Sequence, residues 1–375
     1  MSSDAHTAAE PGQLAGGPAG DGAGLAAPAT ATRMAAAARA LLGAVPGETR
    51  SVLNPGFDDF ELSSPRRQWT YLPVLDRPGL ALRALSDPQR KLAHELITAS
   101  VSMEGYAQVV SVMAMEHVRR ALILASAPER AHLFDPERYC FRIFGDPGGA
   151  VPWGWQLAGH HVSLNFTVAG TRVSGTPCML GSVPASYGSL SPLAHEESDG
   201  YRFVRSLTGD QRAQAVIWHR PPPDFATRIA GRISEVELPD HVFEPEPDYR
   251  ISDEERSALA YVRSGPRGLG GAGLTAEQLY ALVDLVARFA RRLPGELAEA
   301  ELRRVDAAGP ENLWFAWAGS TEPGERHYYR VQGPGLLIEH DNTQSGGNHV
   351  HSVWRVPGGD FGDDLLAAHY RAHEH

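Results

Sequence analysis

Two histidines near the C-terminus, His349 and His351, stand two residues apart, and a short way upstream lie two carboxylates, Glu339 and Asp341. An apolar run, Leu336-Leu337-Ile338, leads into the acids, and Gly346-Gly347 lets the chain reverse before the histidines. In an extended strand residues i and i+2 point to the same side, so the two imidazoles project side by side. Leu337, Glu339 and Asp341 share one side of their own strand, and Leu336, Ile338 and His340 share the other. Paired as a hairpin, the two segments set Glu339 or Asp341 across from the histidine pair. Two imidazoles and one carboxylate form the facial triad of non-haem iron centres. A third imidazole instead makes a three-histidine zinc site with one position open to water. A carboxylate outside the coordination shell can orient an imidazole or act as general base.

The third imidazole comes from a second polar cluster, Trp153 to Thr167, which reads as one strand region. Strand parity puts His161, Ser163, Asn165 and Thr167 on one side, and His160, Val162, Leu164 and Phe166 on the packed side. The metal ligands expected are therefore His161, His349 and His351, with His160 a hydrogen-bonded core residue. Glu339 and Asp341 are the candidate bases. Arg355, in phase with the histidine pair, and Asn165, in phase with His161, are the candidates for orienting substrate. The plain alternative is that the paired histidines bond to backbone and that Asp341-Asn342 only starts a turn. Glu104 and Glu116 read as a solvated helix face, and His369, His373 and His375 as solvated tail residues. The chain lacks Gly-x-Ser-x-Gly, a dinucleotide fingerprint, a Walker loop and His-Glu-x-x-His.

The elements that must position these residues are partly legible. Ser86-Asp87-Pro88 opens a helix, a second runs from about 102 to 125, and Thr275-x-x-Gln278 has the form of a capping box. Further helices are expected near 191–206, 209–215 and 295–306, with a strand over 139–144. The segments 313–318, 327–332, 335–341 and 349–355 read as consecutive strands. Helices gathered before a terminal meander indicate an α+β fold, with helices packed on a mainly antiparallel sheet and a C-terminal β-meander. The Pro- and acid-rich stretch 220–250 is expected to be a surface excursion. Residues 1–45, mostly Ala, Gly, Pro, Ser and Thr without an aromatic, are expected to be a disordered leader, although Met34–Leu42 has the makings of a short helix. Residues 46–375 then form a single domain.

Composition limits the partners. The 375-residue chain carries a formal charge of −11, with acidic residues outnumbering basic ones, which argues against nucleic-acid binding. Cys140 and Cys178 stand far apart and outside any CxxC pattern, so buried free thiols are expected. No run of eighteen apolar residues exists and the N-terminus carries no secretory pattern. A cytoplasmic protein without a membrane span is the expectation.

Several long motifs together resemble a known family. They are Trp153-Gly154-Trp155 with Gly159 to Phe166, Trp314 to Gly319, His327-Tyr328-Tyr329-Arg330, Glu339 to Gln344, Asn348 to Arg355, and Asp360-Phe361-Gly362. Over roughly residues 50–375 the chain is similar to the family called domain of unknown function 3500. That resemblance implies one family unit across the foldable chain and brings no activity, cofactor or catalytic residue with it. From the residues alone, the leading expectation is a metal-dependent enzyme acting on a small molecule, hydrolytic by a slight preference, with a divalent zinc, iron or copper ion. A non-haem iron or copper oxidoreductase, a metal-free histidine acid–base enzyme and a non-catalytic binding protein with an aromatic cleft are the alternatives.

Overall fold

A computed structural model describes residues 24–57, 64–73, 77–233 and 251–373. Its helices begin where short-range chemistry allows. α1 (Pro28–Ala44) starts on a proline, whose missing N–H costs nothing in a first turn. α2 (Asp87–Ser100) follows a capping box between Ser86 and Gln89, and α3 (Met103–Ser126) is capped by the Ser102 hydroxyl. After α4 (Ala194–Ser206), α5 (Ala276–Ala290) begins at the Thr275–Gln278 capping box and buries Leu282, Leu285, Val286 and Phe289 at helical spacing. α6 (Gly295–Ala307) follows at once.

These helices cover one side of a 13-stranded, mostly antiparallel sheet. Its centre is built from two runs of four strands. The first is β1 (Cys140–Phe144), β2 (Trp153–Gly159), β3 (Val162–Ala169) and β4 (Cys178–Ser182). The second is the C-terminal meander β5 (Trp314–Gly319), β6 (His327–Gly333), β7 (Leu336–Asn342) and β8 (Val350–Arg355). The order β1-β2-β3-β4-β8-β7-β6-β5 joins the runs through the antiparallel β4–β8 pair. Short strands extend the edges, and one of them, Val216–Trp218, is parallel to β5.

Both sides of the sheet are covered. Under the helices lie Trp155, Leu157, Leu164 and Phe166 in the first run and Phe315, Trp317, Tyr329 and Ile338 in the second. The opposite side is roofed largely by irregular chain together with a short helix, Asp253–Leu259. Trp69, Tyr71, Phe225 and Phe361 pack there on Met179 and Val353, and Leu259 and Tyr261 pack near Tyr328 and Leu337. The fold is thus mixed α+β with a terminal meander, as the pattern of elements indicates. Among the described residues no helix is long and apolar enough to cross a membrane.

Three expectations need correction. The leader does not reach residue 45: Leu25–Ala26 is a strand and α1 buries Ala31, Met34, Ala38 and Leu41 in the core, where small side chains let it pack closely. Residues 1–23 lie outside the described residues. The region 153–167 is a hairpin, with Gly159 paired to Val162 and His160-His161 forming its two-residue turn. Finally, 220–250 is not simply a surface excursion, because Asp224, Phe225, Ala226 and Thr227 are buried against the sheet. Residues 234–250 lie outside the described residues.

Candidate metal centre

His161 occupies the β2–β3 turn with a left-handed backbone (φ 62°), which favours glycine over a side chain with a Cβ. Its amide donates to the Tyr71 carbonyl at 3.0 Å and its carbonyl accepts from the Gly181 amide at 2.8 Å. The turn is therefore pinned from both sides, and the imidazole is aimed at the start of β8. There His349, just ahead of the strand, donates its amide to Asn342 Oδ1 at 3.0 Å. His351 lies in β8, opposite Gly181 of β4 and Asp341 of β7.

The three rings converge. Their centroids are 4.6–5.1 Å apart, and one nitrogen from each ring lies within 4.8 Å of the other two. His161 Nε2 faces His349 Nε2 at 2.8 Å. Nitrogens bound to one metal at about 2.0–2.1 Å sit about 2.9–3.4 Å apart, so this pair needs only a small separation to hold an ion. Gly181 makes room for the rings: a Cβ there would lie 2.9 Å from His351 Cδ2 and 3.0 Å from His161 Cδ2.

Two buried carboxylates back His351. Its Nδ1 is 3.2 Å from Asp341 Oδ2 and 3.3 Å from Asp224 Oδ1. With Nδ1 committed there, Nε2 is the nitrogen left for a ligand, the carboxylate–histidine arrangement of many metal sites. The rings of Tyr71 and Phe225 close over His351 at 5.2 and 5.7 Å. Behind His161, His160 stacks at 3.8 Å and bonds through Nδ1 to Glu116 Oε2 at 2.7 Å.

Electrostatics divide the cluster. Burial, and then the neighbouring imidazoles, hold His161 and His349 well below the usual histidine range, leaving both neutral. One Nε2 then donates to the other, and an ion would take the place of that shared proton. Burial also works against charge on His351, but Asp341 and Asp224 outweigh it and raise the ring to about 10. The two acids differ for a visible reason. Burial disfavours charge on Asp224, yet His351 and the Phe225 amide hold it below the usual carboxylate range. Asp341 has the His351 contact but its Oδ1 has no hydrogen-bond partner among the described residues, and burial raises it to about 7.

The sequence-derived candidates therefore separate. His161, His349, His351 and Asp341 come together. Glu339 is not among the converging groups: its oxygens accept from the Ala226 and Thr227 amides, the Thr227 hydroxyl and the Tyr328 hydroxyl. It anchors the segment that delivers Asp224. Arg355 is fully buried, pairs with Asp360 at 2.8 Å and lies four residues along β8 from His351, roughly 13 Å away. It braces the roof and does not reach the cluster. Asn165 donates to the Pro177 carbonyl at 2.7 Å and to Ser163, again apart from the histidines. Glu116 is buried against His160, which corrects its reading as a solvated position. Asp224, Tyr71 and Gly181 were not found from sequence.

A family model described as protein of unknown function (DUF3500) matches residues 27–363, nearly the whole chain, and the chain belongs to that family. No curated protein and no solved structure matches it.

Proposed function

Taking membership of that family as the premise, we propose that the protein is a metal-dependent enzyme for a small molecule, with a hydrolytic reaction preferred. Its ligands are His161, His349 and His351. The observation that carries this reading is the convergence of three imidazoles from distant segments, one of them backed on Nδ1 by two buried carboxylates. All-nitrogen donors suit zinc, copper or iron. Hydrolysis is preferred over a two-histidine, one-carboxylate iron centre because neither acid groups with His161 or His349. Asp224, Asp341 and His351 form a second set of donors within 4.8 Å of one another, with one histidine only. A bound ion would supply an acidified water. The chain's own part is to hold His161 and His349 neutral and to fix the His351 ring. Asp341 backs His351 on Nδ1, so its first part is to orient that ring; its Oδ1, without a hydrogen-bond partner among the described residues, keeps it as the base candidate.

The proton on His351 gives a direct test, because an ion must displace it. With His161 and His349 already neutral, zinc affinity is expected to climb about tenfold per pH unit between about pH 7 and 9 in competition titrations. Affinity that levels off above about pH 7 would remove His351 from the ligand set. Hydrolysis of chromogenic esters and phosphoesters by the metal-loaded protein, lost with chelator and restored by metal, is the matching activity result. A loaded protein inert toward every such substrate would end the hydrolytic reading while leaving the site in place.

A further inference from the structure

We propose that a separate groove lined by Arg77, Arg83 and Arg138 binds a small anion bearing a phosphate or carboxylate group. The groove, about 430 Å³, has Pro78, Gly79, Ala81 and Cys140 as its remaining described walls. Three arginines from three places in the chain line it, and no Asp or Glu is among the described lining residues. In a chain of net charge −11 such a concentration of positive charge is not a compositional accident. The described walls carry no large apolar side chain for an apolar ligand to bury against.

The arginines are held in different ways. Arg77 is preorganised, donating from Nη1 to the Arg138 carbonyl at 3.2 Å and from Nη2 to the Leu72 carbonyl at 2.6 Å. Its buried Nε has no hydrogen-bond partner among the described residues. Arg83 reaches Asp135 at 3.3 Å from an exposed position, and the nearby Glu137 is engaged by Arg90. Glu116, on α3, also acts on Arg77 but is bonded to His160. Arg138 forms no ion pair among the described residues. One fixed and one uncommitted guanidinium present the planar donors that match carboxylate and phosphate oxygens.

The groove lies close to the metal centre without being part of it. Tyr139, between Arg138 and Cys140, donates its hydroxyl to the His160 carbonyl at 3.1 Å. Arg77 hangs from Leu72, the neighbour of Tyr71, whose carbonyl holds His161. The inference stands whether or not a metal binds.

Calorimetric titration of the purified protein at low ionic strength, with inorganic phosphate and with succinate in turn, tests it. Saturable binding of one of the two probes at millimolar concentration is expected, weakening as salt is added. Arg138→Gln and Arg83→Gln should each weaken it, Arg138→Gln by about tenfold or more, the loss of one charge-assisted hydrogen bond. Their thermal unfolding without probe should match the parent. Absence of saturable binding of both probes, or parent-like binding in both variants, overturns the proposal. Phosphate alone binding identifies a phosphate site, and succinate alone a carboxylate site.

Discussion

His161 sits in a backbone conformation that glycine adopts without steric cost, yet the chain spends an imidazole there. The side chain must therefore matter more than the turn. His161→Gly relieves the backbone while deleting a ligand, so its unfolding midpoint in denaturant should stay within about 1 kcal/mol of the parent. Metal content should nevertheless fall to background. A variant that keeps its metal would show that His161 serves the turn alone. That a carboxylate faces the histidine pair is legible in the sequence from strand alternation and a glycine reversal. Which of Glu339 and Asp341 it is depends on the register, which sets Asp341 opposite His351. Parity reports only a shared face, however. Arg355 and Glu339 lie on the same face as His351 and spend their polar atoms on the roof. Asp224 gave no signal, since a Pro-rich segment has no period to read.

At the scale of elements, Gly181 decides how closely β4 and β8 can carry the two rings. Its missing Cβ would stand 2.8 Å from the Val350 carbonyl as well as against both imidazoles. Gly181→Ala should cost about 1–3 kcal/mol of stability, measured by urea unfolding. It should also weaken zinc binding at least as much as it weakens the fold. Unchanged zinc affinity would mean that the rings are not held where the strands place them. Helix starts were readable because a cap uses adjacent residues: Ser86 with Gln89, and Thr275 with Gln278. The β2–β3 turn was missed although a signal existed. Apolar residues fall on odd positions through Trp153, Trp155 and Leu157, then on even ones through Val162, Leu164 and Phe166. That change of phase marks the reversal, and Gly-His-His-Val lacks the Asn-Gly or Asp-Gly chemistry that usually announces one.

Over the whole molecule, the centre sits on the seam between the two runs of strands. His161 and Gly181 come from the first run, and His349, His351 and Asp341 from the second, so neither run holds a site by itself. The α+β class and the meander were legible from local periodicity. The β4–β8 pairing was not, because it joins segments far apart in sequence through backbone hydrogen bonds that no local pattern encodes. The Ala-rich N-terminal helix was undervalued for a related reason: small residues show little periodic contrast, yet they allow close packing on α2 and the sheet. A chain beginning at Pro46 should therefore lose cooperative unfolding or several kcal/mol of stability in denaturant titration. Parent-like unfolding of that truncation would restore the disordered leader.

The proposed metal centre requires nitrogen atoms from residues far apart in the chain to meet at one ion. Metal-edge X-ray absorption of the purified, metal-loaded protein examines that shell directly. Three imidazole scatterers with metal–nitrogen distances of about 2.0–2.1 Å, reduced in His351→Ala, are predicted. A shell dominated by sulfur or carboxylate oxygen, or one unchanged by loss of His351, would contradict the account.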